Sequence, residues 1–375
     1  MPDIDHKKKI NIFKPFLHAT PAYVGGKSKK EIQTSADKIY KLSSNENMLG
    51  SSPKALEAIR KHADMLYEYP DRTDARLRKD LSAFYHGALT EDHFMATPSG
   101  SEMIDLLVRG FTGEGLECIA SNPSFQPYFM FPNNHGARTI DVPLQSEHFD
   151  LDVEGILSAV TDRTRLIFVT SPNNPTGTYI PKQQMDYLVD SLPEHVILVV
   201  DEVYHHFVTA DDFTVALPYV RDGKNVIGLN SFSKAYGLAG LRLGYAYGPI
   251  KIMSYIRQLW KPFLLNTLAI EAASAALTDV AFIQKTRDHI IKERDRIYDV
   301  LDEIDMIYWK SQGNFIMMKP SISDKEFEQR MLEEGIMIRP VSGFGADGCV
   351  RVTIGTTDAN NAFIAALRKI ENTNK

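Results

Sequence analysis

The stretch NVIGLNSFSKAYGLAGLRLGY, residues 225–245, decides the fold of this chain. It opens with an apolar run typical of a buried β-strand and continues into hydroxyls, a single lysine and a glycine-rich turn. A nucleophilic lysine must be available as the neutral amine, so Lys234 requires a partly desolvated, positively biased pocket. Ser231, Ser233 and Arg242 supply donors for a phosphate dianion. Lysine and phosphate donors in one loop predict a pyridoxal-phosphate site.

Two further runs outside this stretch have the same strand-like character. Residues 165–170 and 195–200 are β-branched or aliphatic, and amphipathic segments separate them. This alternation predicts a mostly parallel sheet with helical crossovers. Each run ends in polar residues, and ligands bind beyond the carboxyl ends of the strands in such sheets. We therefore expect SPNNPTG, DEVYHH and NSFSK to border one crevice.

Residues 93–111 predict another transition from strand to helix. Ser99, Gly100 and Ser101 immediately precede apolar residues at helical spacing. The backbone N–H groups of a helix start bind phosphate, which favours a second group of phosphate donors here. An ordinary serine N-cap explains the same residues equally well.

The last third of the chain predicts a smaller α+β domain. A helix-like run at 268–277 is followed by strand-like patches at 314–319, 335–340 and 349–355. We expect three parts: residues 1–49 packing on the small domain, residues 50–265 forming the large cofactor-binding domain, and residues 266–375 forming the small C-terminal domain.

The composition is that of an ordinary globular protein. Of 375 residues, 43% are hydrophobic and 24% charged, and the apolar runs fall well short of the roughly 18 residues of a membrane span. Charges near the N-terminus argue against an export signal, and Cys118 and Cys349 form no C-x-x-C pair for zinc. The net charge of −6 argues against nucleic acid as a binding partner. A cytoplasmic enzyme with neither nucleic-acid nor membrane partners is expected.

Motifs along nearly the whole chain resemble those of histidinol-phosphate aminotransferases. The matching segments are LSSNENMLGSSP (42–53), YPD (69–71), SGSEMIDLLVRGF (99–111), NPSFQPY (122–128), SPNNPTG (171–177), VVDEVYHHF (199–207), SFSKAYGLAGLRLGY (231–245), KPFLLN (261–266), GNF (313–315), GIMIRP (335–340) and VRVTIGT (350–356). Those enzymes are class I/II, fold-type I pyridoxal-phosphate aminotransferases. The resemblance implies an α/β fold in which a large domain has a mostly parallel sheet with helices on both faces, beside a smaller α+β domain.

The resemblance also implies roles for residues around the cofactor ring. Lys234 would form the Schiff base, and Asp201 would keep the pyridine nitrogen protonated. Asn174 and Tyr204 would donate to the phenolic oxygen. Phe125 would stack on the ring, whereas its neighbours in FQPYFMF are expected to be core or interface aromatics.

Phosphate and substrate contacts follow from the same resemblance. The implied phosphate donors are Ser99, Gly100, Ser101, Ser231, Ser233 and Arg242. Tyr69 would reach across a homodimer interface to the partner's cofactor phosphate. Arg351 would clamp a substrate carboxylate, and Tyr23 and Arg339 would hold the distal anionic group. No metal is implied.

The expected reaction is a ping-pong transamination between histidinol phosphate and 2-oxoglutarate in histidine biosynthesis. Lys234 would move the proton between substrate and cofactor. An aminotransferase of aromatic or other amino acids shares these motifs, and a pyridoxal-phosphate decarboxylase of a phospho-amino acid shares the fold. The chain departs from the family pattern at Met48, Glu102, Met103 and Leu264, and Glu102 places a longer carboxylate near the expected phosphate.

A metal-binding hydrolase is the remaining alternative. Asp201 with His205, and Glu202 with His206, have the i,i+4 spacing of metal ligands on a helix. However, these residues follow a strand, and an exposed loop explains the histidines equally well. Metal analysis would discriminate between the two chemistries.

Overall fold

The computed structural model describes residues 14–18, 29–32, 36–145 and 147–372. The α-helices of this part are α1 (Pro53–His62), α2 (Ala75–Phe84), α3 (Gly100–Phe111), α4 (Pro127–Asn134), α5 (Val153–Ala159), α6 (Lys182–Ser191), α7 (Leu217–Arg221), α8 (Ile250–Ile256), α9 (Thr267–Leu277), α10 (Val280–Glu303), α11 (Asp324–Glu333) and α12 (Thr357–Asn372). The strands are β1 (Tyr40–Lys41), β2 (Phe94–Thr97), β3 (Glu117–Ala120), β4 (Arg138–Asp141), β5 (Thr164–Thr170), β6 (Ile197–Asp201), β7 (Val226–Ser231), β8 (Gly244–Tyr247), β9 (Ile307–Trp309), β10 (Phe315–Lys319), β11 (Ile336–Met337), β12 (Arg339–Pro340) and β13 (Val350–Thr353).

The larger sheet has seven strands in the order β2-β8-β7-β6-β5-β3-β4. Its strands β7, β6, β5, β3 and β4 are parallel, whereas β8 runs antiparallel to both of its neighbours. The three runs predicted as strands form β5, β6 and β7, which lie side by side. Their polar carboxyl ends therefore meet at one edge, and the prediction of a mostly parallel sheet is confirmed.

Helices cover both faces of this sheet. Along β6, Leu198 and Val200 join one apolar cluster, while Ile197 and Val199 join the cluster on the opposite face. This alternation is the side-chain period of a strand, and a strand buried on both faces reads as a continuous apolar run. Because the strands are covered on both faces, only their ends are open to ligands.

The smaller sheet has the order β12-β13-β10-β9 and packs with α10, α11 and α12 around a separate apolar cluster. Strand β1 pairs in parallel with β11, and Leu42 is buried in the same cluster. By contrast, Pro15–His18 contacts α4, a helix that packs on the seven-stranded sheet. Helix α9, which follows residue 265, packs on α1 in the apolar cluster of that same sheet. The boundaries at residues 49 and 265 stay predictions.

None of the described helices is long and apolar enough to cross a bilayer alone. Helices α9 and α10, bent by 77° at the break between them, pass by length and composition only when taken together.

Candidate active site

A cavity of about 440 Å³ opens at the carboxyl edge of the larger sheet and faces the smaller one. The predicted residues that line it are Ser99, Gly100, Ser101, Phe125, Asn174, Asp201, Tyr204, Ser231, Ser233, Lys234, Arg242, Arg339 and Arg351. We call the part contributed by loops of the larger sheet the large-sheet wall. The opposite part, formed by Lys41, Ser43, Arg339, Phe344 and Arg351, is the small-sheet wall.

The start of α3 forms one end of the large-sheet wall. The Ser99 hydroxyl caps this helix by accepting from the Glu102 N–H at 3.1 Å. A Cβ atom on Gly244 of β8 would lie 2.6 Å from the Gly100 nitrogen, so only glycine lets the loop approach the sheet here. The Glu102 carboxylate accepts from Arg109 at 3.2 Å and does not line the cavity. The longer carboxylate at position 102 is thus paired outside the cavity.

The loop after β7 supplies further donors beside the start of α3. Ser231 and Ser233 are buried, and the Ser231 hydroxyl accepts from the Ser233 N–H at 3.1 Å. Arg242 lies exposed at the cavity mouth in the left-handed conformation, with φ of 53°, and donates to the Ala239 carbonyl at 3.0 Å. Hydroxyls, helix N–H groups and a guanidinium therefore border one space, which is the donor set a phosphate dianion requires.

Lys234 lies between the two walls. Its Nζ donates to the Ser44 carbonyl at 3.3 Å and lies 5.6 Å from the centroid of the Tyr204 ring. The Tyr204 hydroxyl accepts from Asn45 Nδ2 at 3.0 Å, so its own proton remains available to donate into the cavity. Asn45 has φ of 54°, a left-handed conformation that asparagine tolerates better than most residues.

Asp201 ends β6 at the floor of the cavity. Burial raises the pKa of its carboxyl to about 6, although a hydrogen bond from Tyr128 opposes the rise. The Tyr128 hydroxyl donates to Asp201 Oδ2 at 2.6 Å and accepts from Thr170 Oγ1 at 2.9 Å. A buried carboxylate is costly unless a cation compensates it. The protonated nitrogen of a pyridine ring is a cation suited to that position.

Glu202 follows Asp201 and points away from the cavity, as the alternation of a strand requires. Its carboxylate accepts from Asn230 Nδ2 and from the Ala216 N–H, both at 2.9 Å, and also from the Tyr247 hydroxyl. Burial raises the pKa of Glu202 to about 7. These contacts anchor the end of β6 to β7, β8 and the start of α7.

His205 and His206 do not lie on an exposed loop, so that interpretation is wrong. They belong to the half-buried 3₁₀-helix His205–Phe207, and His205 Nδ1 contacts the Glu202 carbonyl at 2.7 Å. Burial lowers the pKa of both imidazoles. Across the described part of the chain, no group of three or more His, Cys, Asp or Glu side chains is arranged to hold a metal ion.

Arg351 connects the two walls. It donates through Nη1 to Asn174 Oδ1 and through Nη2 to the Ser43 carbonyl at 2.7 Å. Because a guanidinium can only donate, the Asn174 oxygen must face Arg351. The Nδ2 group of Asn174 is consequently the donor that remains for a ligand in the cavity.

Arg339 lies directly opposite Arg351 on the antiparallel pair of β12 and β13. Its guanidinium carbon lies 5.4 Å from the centroid of the Phe344 ring. Like charges directly opposite each other on neighbouring strands are destabilising, so an anion between or beside them is favoured. The register of the smaller sheet therefore brings two guanidinium groups to the cavity that contains Lys234.

Of the predicted site residues that the structure describes, Tyr69 does not line the cavity. Tyr69 is 86% exposed, and its ring packs against Phe263 at a centroid distance of 5.3 Å. Tyr23 lies outside the described residues.

Sequence reasoning missed several residues that line the cavity. Tyr128 is a core aromatic, as predicted, but its hydroxyl also contacts Asp201, which the prediction missed. Its position three residues after Phe125 was an available signal. The remaining missed residues of interest are Lys41, Ser43, Asn45, Thr170 and Phe344. Their convergence depends on contacts between distant segments.

The family model for class I and II aminotransferases matches residues 37–367. The chain belongs to this family. It is 37% identical to histidinol-phosphate aminotransferase 2 of Hydrogenovibrio crunogenus over 95% of both chains. It is 38% identical to the histidinol-phosphate aminotransferase of Akkermansia muciniphila, covering 93% of this chain and 96% of that one.

The fold of this aminotransferase is similar to that of a solved family member. The histidinol-phosphate aminotransferase of Sinorhizobium meliloti, solved in complex with pyridoxal-5′-phosphate, matches with a TM-score of 0.86 and 24% identity. The match covers 98% of this chain and all of that one. The expected fold-type I architecture is confirmed.

The residues that line the cavity fit pyridoxal phosphate, independently of the similarity to known proteins. The phosphate-type donors, the buried carboxylate of Asp201 and the amine of Lys234 border one space. Phe125 also lines this space, half-buried and perpendicular to Tyr128 at a centroid distance of 5.6 Å. The residues present match the three groups of the cofactor: its phosphate, its pyridine nitrogen and its aldehyde.

Proposed function

We propose that this aminotransferase transfers an amino group from histidinol phosphate to 2-oxoglutarate, using pyridoxal phosphate, in cytoplasmic histidine biosynthesis. The observation that carries the substrate assignment is the pair Arg339 and Arg351, directly opposite each other in the cavity that contains Lys234. One half-reaction uses a substrate with a phosphate, and the other uses a substrate with two carboxylates. Binding both substrates in one site requires a pair of cationic side chains. The identities with the two histidinol-phosphate aminotransferases support the same substrate.

When bound, pyridoxal phosphate supplies the aldehyde that takes up the amino group and a ring that accepts electrons from the substrate Cα. Asp201 holds the proton of the ring nitrogen, and Tyr128 orients the carboxylate for that task. Lys234, as the neutral amine, would accept the proton from the substrate Cα and deliver it to the carbon on the other side of the transferred nitrogen. Burial of these groups excludes the water that would weaken each interaction.

Asn174 and Tyr204 are assigned to the cofactor's phenolic oxygen because of the hydrogen bonds that they make within the protein. Asn174 has its oxygen occupied by Arg351, and Tyr204 has its hydroxyl oxygen occupied by Asn45. Both residues therefore present donors to the cavity. Because Arg351 binds Asn174, the substrate-carboxylate site is coupled to a residue that contacts the cofactor.

A panel of amines and oxoacids tests the proposal. Cofactor-loaded enzyme is mixed with histidinol phosphate, histidinol, phenylalanine, tyrosine and glutamate, and the loss of cofactor absorbance is followed in single turnovers. We expect histidinol phosphate and glutamate to react with the highest kcat/KM. Faster reaction with phenylalanine or tyrosine would replace the substrate and leave the chemistry intact.

An aromatic amino-acid aminotransferase is the second candidate function. Phe344 and Phe125 line the cavity, and an aromatic side chain placed between them would gain apolar contact. The same panel discriminates, because phenylalanine carries no distal anion for Arg339.

We further propose a homodimer with shared sites and the domain division at residues 49 and 265. Tyr69 points to solvent beside other exposed apolar side chains, Leu66, Tyr67 and Phe263. An exposed apolar patch of this kind is typical of an interaction surface. Analytical ultracentrifugation tests the dimer, and Tyr69→Phe should weaken cofactor retention if the hydroxyl reaches the partner's phosphate site.

A further inference from the structure

The geometry points to Lys41 as a specificity-determining residue that binds the distal phosphate of the substrate together with Arg339. This assignment rests on the proposed function, because it names a further ligand for the anion of that substrate. Lys41 lines the cavity, and its Nζ donates to Glu46 Oε1 at 2.8 Å.

Strand pairing brings Lys41 to the small-sheet wall. Lys41 of β1 lies opposite Met337 of β11, and Arg339 follows Met337 by two residues. Met337 ends β11 and Arg339 begins β12 of the smaller sheet, so Lys41 and Arg339 lie on neighbouring segments of backbone. Both side chains line the cavity, and Arg351 lies opposite Arg339 on β13.

Charge supports a polyanionic ligand at this wall. Among the described residues, the basic side chains that line the cavity are Lys41, Lys234, Arg242, Arg339 and Arg351, against two carboxylates, Glu46 and Asp201. Asp201 lies at the floor, where a pyridinium would pair with it, and Glu46 is paired with Lys41. Basic side chains outnumber carboxylates in the lining, which favours a phosphate dianion as a ligand.

The Ser43 hydroxyl is an independent sign of a ligand. Ser43 is 5% exposed and lines the cavity, and its Oγ is buried without a hydrogen-bond partner. Its backbone carbonyl is fixed by Arg351 at 2.7 Å. A buried hydroxyl without a partner costs free energy, which a ligand oxygen would recover.

Glu46 positions Lys41 and leaves it able to bind. An ammonium group has three N–H donors, and the bond to Glu46 uses one of them. In the absence of substrate, Glu46 compensates the charge of Lys41. The remaining donors can reach a phosphate without loss of the Glu46 contact.

Substitution of Lys41 in the cofactor-loaded enzyme tests this assignment. We expect Lys41→Met to lower kcat/KM for histidinol phosphate about tenfold more than for histidinol, mainly through KM, because one charge-assisted contact is lost. Lys41→Arg should restore most of the difference. Lys38→Met is the matched control, since Lys38 is an exposed lysine of the same segment, paired with Asp358 at 2.7 Å, that does not line the cavity.

A second readout separates this assignment from the proposed function. Inorganic phosphate is used as an inhibitor of the glutamate half-reaction, and its inhibition constant should rise about tenfold in Lys41→Met. An unchanged constant overturns the role of Lys41 whatever the substrate is. Failure of the wild type to use histidinol phosphate overturns the proposed function, and the phosphate constant still decides Lys41.

Folding of the variants is checked by thermal unfolding. Should Lys41→Met fold poorly, Lys41→Gln removes the charge and keeps a polar end at the position. Equal losses with histidinol and histidinol phosphate, without rescue by Lys41→Arg, would show a merely structural lysine and overturn the assignment.

Discussion

The two walls of the cavity are built in different ways. The large-sheet wall consists of loops that each follow a strand of one sheet, so Asp201, Ser231 and Lys234 are brought together by simple parallel pairing. The small-sheet wall joins Lys41 and Ser43 to residues about 300 positions later in the chain. The comparison teaches that the candidate residues for the reaction come from short sequence motifs. The candidate residues for substrate choice come together only when the apolar clusters of the two sheets pack against each other.

Each wall also makes different demands on stability. The large-sheet wall buries the Asp201 carboxylate, which a cofactor would compensate, whereas the small-sheet wall gathers basic side chains that a substrate would compensate. Ligands therefore relieve opposite electrostatic costs at the two walls. Substitutions on the two sides should accordingly differ in kind as well as in size.

The largest effect is expected for Lys234→Ala on the large-sheet wall. Removing the amine that moves the proton should lower turnover at least about 10³-fold with every substrate, while the phosphate donors still retain cofactor. Steady-state transamination and cofactor absorbance after dialysis measure this. Lys182→Ala, an exposed lysine paired with Asp186, is the control. Loss confined to one substrate would contradict the division between the walls.

Asp201→Asn should stabilise the cofactor-free protein. The folded-state pKa of about 6 lies above the ordinary carboxyl pKa of 3.8, so the folded state binds the proton more tightly. Wild-type stability therefore falls as pH rises from about 4 to 6, by on the order of 3 kcal/mol. The stability of Asp201→Asn should not fall in this way between pH 4 and 6, and at pH 8 the variant should be more stable than the wild type. Denaturant unfolding across that pH range measures it.

With cofactor bound, the wild type should instead be more stable than Asp201→Asn. The pyridinium compensates the charge of the Asp201 carboxylate, whereas an amide at this position carries no charge to compensate. The exposed Asp190→Asn, which removes a carboxylate paired with Lys224, serves as control. A variant less stable than wild type at pH 8 without cofactor would show that Asp201 is already compensated within the protein.

Arg339→Ala on the small-sheet wall should have a smaller and selective effect. Loss of a contact of about 2 kcal/mol lowers kcat/KM for histidinol phosphate roughly thirtyfold relative to histidinol. The comparison of the two amines in one variant cancels general damage to the site. A loss of the same size with both amines would remove Arg339 from the phosphate site.

Tyr128→Phe should have the smallest effect. Without this hydroxyl, Asp201 loses a hydrogen bond that lowers its pKa, and kcat should fall about fivefold, equivalent to about 1 kcal/mol. The pH profile of kcat measures the change. Tyr179→Phe, which removes a comparable tyrosine–aspartate bond at the surface, is the control and should leave kcat unaltered.

Much of the large-sheet wall was predictable from local sequence. The apolar run of β6 buries both faces of a strand, and the polar residues directly after it must then lie at the strand's end. Tyr128 was missed because an aromatic residue next to a helix start has the same pattern whether it packs in a core or contacts a carboxylate. Only the distance of 2.6 Å to Asp201 separates the two cases.

The sequence by itself determined the mostly parallel sheet, the position of Lys234, the candidate phosphate donors and the family, since these depend on short contiguous patterns. Only the tertiary structure decided that Lys41, Ser43 and Arg339 share a wall, and that Asn45 reaches Tyr204. Strand β1 has two residues, too few for any periodicity to reveal its partner. Its register with β11 is set by burial of Leu42 in the smaller core, a contact that exists only after both segments have folded.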